Sequence, residues 1–83
     1  MKSGYKLIEY HVPEKEVLSK MVSEKAPSRY LVATVEVSDP KEAEAYLDTI
    51  GAALTFGLPS LSWILGPQFF KGKAYLRLYL IPE

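Results

Sequence analysis

The sequence predicts an α/β fold of α+β-like character: a two-layer sandwich in which two helices cover one face of a mixed four-stranded sheet. Three observations predict it. Apolar residues alternate over Tyr30–Ser38, Leu61–Leu65 and Ala74–Leu80, but recur at three- and four-residue spacing over Val17–Val22 and Ala43–Leu54. Proline and glycine punctuate these runs in the order β-α-β-α-β-β. Strand-helix-strand crossovers prefer one hand, so both helices are expected on the same side of the sheet. All 83 residues (1–83) form a single domain, because no repeat, linker or low-complexity stretch divides them.

Tyr5–Val12 (YKLIEYHV), rich in aromatic and branched residues, reads as the first strand. Pro13 follows, suited to the first turn of a helix, where an N–H would lack a partner anyway. Val17, Leu18, Met21 and Val22 then make one helical stripe. Glu14 and Glu16 lie near the positive start of this helix and Lys25 near its negative end, before Ala26-Pro27 stops it.

Tyr30–Ser38 places Leu31, Ala33, Val35 and Val37 on one face and Tyr30, Val32, Thr34 and Glu36 on the other. Asp39-Pro40-Lys41-Glu42 reads as a helix start: Asp39 caps, Pro40 takes the first position, and Glu42 reaches back as in a capping box. Ala43, Tyr46, Leu47, Ile50, Ala53 and Leu54 form the stripe of the second helix. Gly57 supplies its left-handed terminator, and Leu58 can pack back on the last turn.

In the final third, Lys71-Gly72 is either a two-residue hairpin turn or the end of a loop spanning residues 66–72. Register favours the hairpin. If Phe70 faces Lys73, then Phe69 pairs with Ala74, Leu65 with Leu78 and Trp63 with Leu80, and the strongly apolar pairs share one side. Gly66-Pro67 inside the first arm then demands an edge strand or a bulge. In this register Phe69 points into the core and Phe70 points out; in the loop both are contact residues.

Two helices cannot cover both faces. Leu31, Val35, Trp63, Leu65, Leu76, Leu78 and Leu80 are expected beneath them. Tyr30, Val32, Thr34, Glu36, Ile64, Tyr75, Arg77, Tyr79 and Ile81 remain uncovered, with Phe70 and Lys73 towards one end. Contiguous apolar patches beyond a few hundred Å² usually mark contact sites. The expectation is a non-enzymatic protein-protein interaction module, a homodimer or a small subunit of a complex. Its contacts would be Tyr30, Glu36, Ile64, Phe70, Tyr75, Arg77 and Tyr79.

The alternative is single-stranded nucleic acid, with bases stacked on Tyr30, Tyr75 and Tyr79 and phosphates met by Arg77, Lys71 and Lys73. Ten basic and ten acidic residues cancel. That balance disfavours nucleic acid, whose neutralisation needs surplus cations, and favours self-association.

Catalytic chemistry is hard to find. There is no cysteine, and His11 is the one histidine. His11 and Glu9 share a strand side and read as a solvated edge. No glycine-rich phosphate loop of either common pattern exists. Neither an enzyme activity, a cofactor nor a metal is therefore expected. No signal-peptide pattern is visible, and no apolar run approaches the about 20 residues of a membrane span, so a cytoplasmic protein without membrane contact is expected. Depletion of Asn, Gln and Met alongside frequent Glu and Lys is thermophile-like.

The β-α-β-α-β-β order resembles that of the Alba chromatin proteins and of the C-terminal domain of bacterial translation initiation factor three. This likeness is one of topology over most of the chain, without a shared motif; it adds a little weight to the nucleic-acid alternative, although the Alba-type proteins have a basic character that this neutral chain lacks.

Overall fold

A computed structural model describes residues 3–83. The chain forms β1 (Tyr5–Tyr10), α1 (Lys15–Glu24), β2 (Tyr30–Val37), α2 (Pro40–Thr55), β3 (Leu61–Phe70) and β4 (Lys73–Pro82). The four strands make one open sheet in the order β1-β2-β4-β3. Both helices pack on the same core, so the element order and the two layers are those expected.

The sheet is antiparallel between every pair of neighbours, where a mixed sheet was expected. The expectation treated each helix as a crossover between adjacent parallel strands. α2 does join two strands that run the same way, β2 and β3, but β4 lies between them. α1 is a ten-residue excursion, and residues 25–29 return the chain to antiparallel pairing beside β1.

Met21 from α1, Leu47 from α2, Val32 and Val35 from β2, and Leu78 and Leu80 from β4 are the largest fully buried side chains. Burying each contributes about 1.5–3 kcal/mol, which is what holds so small a domain together. The α2 stripe reaches this core through Ala43, Tyr46, Leu47, Ile50 and Leu54. Ala53, expected in the stripe, is exposed, and Gly51 takes the buried position because Trp63 presses against it.

α2 begins as the sequence predicts at its cap but not in its capping box. Asp39 Oδ1 accepts from the backbone N–H groups of Lys41 (3.1 Å) and Glu42 (3.4 Å). The Glu42 carboxylate does not turn back to Asp39; it accepts from the Gly4 N–H at 3.1 Å, while the Asp39 N–H donates to the Gly4 carbonyl at 2.8 Å. Gly4 is thus clasped by the start of α2, which ties the entry of β1 to the helix layer.

The hairpin follows the predicted register from Leu61 opposite Pro82 to Phe70 opposite Lys73. Lys71 (φ 51°) and Gly72 (φ 78°) are both left-handed, the signature of a two-residue turn whose twist matches the strands. Pro67 is tolerated because β3 is an edge strand.

Four side chains depart from their expected surroundings. Phe69 lies on the helix side, opposite Ala74, but is 80% exposed, since α2 does not extend over the hairpin tip. Tyr30 and Leu31 exchange faces. β2 pairs Leu31 with Tyr79 and then Ala33 with Leu78, so Val32 is an extra residue in a β-bulge. Val32 turns into the core at 0% exposure rather than lying on the open face. Tyr30 falls opposite Leu80 on the core side, and Leu31 opposite Tyr79 on the uncovered side.

Candidate interaction face

The strand register assembles the uncovered face row by row. Nearest the hairpin turn, Phe70 faces Lys73. The next row runs Lys6, Glu36, Tyr75, Gln68 across β1, β2, β4 and β3. The central row is Glu9, Thr34, Arg77, Gly66. Beyond it come Leu31, Tyr79 and Ile64, then Ile81 and Ser62.

A second bulge, in β1, adds Ile8 to this surface. β1 pairs Leu7 with Val35 and Glu9 with Thr34, leaving Ile8 unpaired between them. Ile8 borders the same groove as Glu9 and Thr34, so two consecutive side chains stand up from the β1 edge. Ile8, Ile64 and Phe70 (58%) are among the most exposed large apolar side chains of the chain.

Polar groups on the face are partly paired. Lys73 Nζ lies 3.2 Å from Glu36 Oε1, and this hydrogen bond raises the lysine pKa above its usual value. His11 Nε2 lies 2.8 Å from Glu9 Oε1 at the β1 edge. The Arg29 guanidinium sits 4.9 Å from the centre of the Tyr79 ring, and Lys71 Nζ 5.4 Å from that of Phe70. In the central row the pattern breaks: Thr34 Oγ1 and Arg77 Nε are buried with no hydrogen-bond partner among the described residues.

Between Phe70, Tyr75, Arg77, Thr34 and the Ile8–Glu9 ridge lies a groove of 350 Å³. A larger cleft of 670 Å³ opens at the hairpin-turn end, beside Ser3, Lys6, Glu36 and Lys73. On the helix side, Phe69, Leu65, Pro40 and Glu44 border an apolar groove of 340 Å³. Among the described residues no group of three or more His, Asp and Glu side chains converges, and no helix is long and apolar enough to cross a membrane.

Of the residues singled out in the sequence, Glu36, Ile64, Phe70, Tyr75, Arg77 and Tyr79 do come together on the uncovered face, with Lys73 beside Glu36. Lys71 occupies the turn at its end. Tyr30 is on the opposite side. Ile8, Glu9 and Leu31 join the face through the two bulges, and one extra residue in an alternating run leaves no mark that periodicity can detect. The chain matches no protein-family model, no curated protein and no solved structure.

Proposed function

We propose that this chain is a non-catalytic association module that closes the open face of its sheet against a second copy of itself. The observation that carries this reading is the apolar surface on the side opposite both helices, with Leu31, Tyr79 and Ile64 on one flank of the Thr34–Arg77 row and Tyr75, Phe70 and Ile8 on the other. A second sheet stacked about 10 Å away would remove it from water. The charges on the face support the same partner. Lys6, Lys73 and Arg77 are interspersed with Glu9 and Glu36, so the surface holds both signs and can complement itself.

Solution mass across a dilution series, for the parent and for Tyr79→Asp, tests the reading. A dimeric parent and a monomeric variant are expected. A parent that stays monomeric at the highest concentration overturns it.

Single-stranded nucleic acid is the second reading, favoured by the Arg29 guanidinium over Tyr79 beside Arg77 and Tyr75. Aromatic rings with cations close by can stack bases and meet phosphate. Fluorescence anisotropy with short single strands decides it: salt-sensitive binding supports this reading, and no binding at low salt removes it.

A further inference from the structure

The uncovered face carries a ridge and a groove on the same row of the sheet. The β1 bulge raises Ile8 and Glu9 at one edge. Towards the other edge, Gln68 and Phe70 of β3 wall the 350 Å³ groove whose floor holds Thr34 and Arg77. Thr34 is 4% exposed, and its Oγ1, like Arg77 Nε, finds no acceptor or donor in the chain among the described residues. Arg77 is half-buried, with Nε closed off and the rest of the guanidinium bordering a groove shared by Ile8, Tyr75 and Phe70 with Glu9, Thr34 and Gln68; a carboxylate is the group that matches it best.

We infer that the two copies meet about a two-fold axis running along the strands between β2 and β4, so that Glu9 of the second copy enters this groove and takes the guanidinium of Arg77. The inference rests on the face-to-face association proposed above. An axis between the two central strands lays β1 of one copy over β3 of the other, row upon the same row. The Ile8–Glu9 ridge then meets Gln68, Gly66 and Phe70, with the Tyr79 ring lying against Gly66 where a Cβ would stand 3.3 Å from it. Ile8 of the second copy packs on Phe70, and its Glu9 lies beside Arg77. A two-fold axis across the strands at this row would instead set Arg77 on Arg77 and Glu9 on Glu9, like charge upon like. Both acids of the face have a partner in their own chain: Glu36 holds the Lys73 ammonium at 3.2 Å, and Glu9 meets the exposed His11 ring at 2.8 Å through Oε1, which leaves its Oε2 for the guanidinium.

A charge-reversal cycle on the full chain, read as dimer dissociation constants by sedimentation equilibrium, tests the pairing. Arg77→Glu and Glu9→Arg are each expected to weaken the dimer about tenfold or more, and the double variant to return to within about threefold of the parent. Losses that multiply in the double variant overturn the pairing, as do single variants that dimerise like the parent. Thermal melts establish that each variant folds. If Arg77→Glu does not, Glu9→Gln and Arg77→Gln give the same cycle without reversed charge. Tyr79→Asp separates the two ways of being wrong. A parent dimer that Tyr79→Asp breaks, but whose charge variants are additive, loses the pairing and keeps the face; a monomeric parent loses both.

Discussion

The Trp63 indole lies so close to Gly51 that a Cβ built on the glycine would stand 2.5–2.7 Å from Cγ, Cδ2 and Cδ1 of the ring. The indole N–H meanwhile donates to Asp48 Oδ1 at 2.9 Å, one helical turn before Gly51. Ring and helix are thereby fixed against each other through a hydrogen bond and a gap left by a missing methyl group.

Gly51→Ala should therefore destabilise, although alanine is the better helix former. Removing a mid-helix glycine gains about 1 kcal/mol of propensity, whereas overpacking a closed contact costs about 1–3 kcal/mol. The atoms struck lie near the root of the tryptophan side chain and cannot swing aside cheaply. The difference, a net loss of up to about 2 kcal/mol, corresponds to a melting temperature lowered by up to about 16 °C. A thermal melt in which the variant is the more stable protein would show that the indole moves freely.

The hairpin turn makes a second prediction. Lys71 occupies the left-handed region at φ 51°, where a side-chain Cβ costs about 1–2 kcal/mol and asparagine is better tolerated. Its ammonium above Phe70 recovers about 0.5 kcal/mol at an exposed site. Lys71→Asn is thus expected to raise stability by about 0.5 kcal/mol, the backbone relief outweighing the lost cation–π contact. Gly72→Val should do the reverse and loosen the tip first, since a β-branched residue at φ 78° is strained. Hydrogen exchange at the amides of residues 68–75 is the direct measure; unchanged protection in Gly72→Val contradicts the turn assignment.

How much of this was legible in the sequence depended on whether pairing or cover was being inferred. The β3–β4 register could be read because two long runs meet at a turn of fixed length, and one slip would have put Trp63 and Leu65 on the wrong face. The Tyr30–Leu31 exchange could not be read. Tyr30 and Leu31 are both large and partly apolar, so the run looks equally regular with or without the bulge at Val32. Phe69 shows a different limit. Alternation assigned it to the helix side correctly, but periodicity says which way a side chain points and not whether a helix extends far enough to cover it. The direction of β1 was hidden for a similar reason, because the path of a short helix and its return loop is not written in either strand. The face residues were consequently found in part: those on the hairpin came from its register, and those on β1 came only with the second bulge.

The last prediction concerns alkaline pH. Tyr46 of α2 stacks on Tyr5 of β1, with ring centres 4.3 Å apart and planes inclined by 16°. Burial pushes the Tyr46 phenol above its ordinary value, and the neighbouring Tyr5 and Tyr10 hydroxyls push it further in the same direction. The folded chain therefore keeps a proton that the unfolded chain gives up at the ordinary tyrosine pKa of about 10. By linkage, this contribution to stability is complete below that pH and is lost as pH rises through the raised value. Lys73 has the same sign, because its hydrogen bond to Glu36 also raises its pKa, so the comparison belongs in a Lys73→Met background. There, the urea midpoint should fall less between about pH 9 and about pH 11 in Tyr46→Phe than in the chain that keeps Tyr46. Phenylalanine preserves the stack on Tyr5 and removes only the ionising group. Equal declines in the two chains would mean that Tyr46 ionises as easily folded as unfolded, and that the contact between β1 and α2 does not shield it.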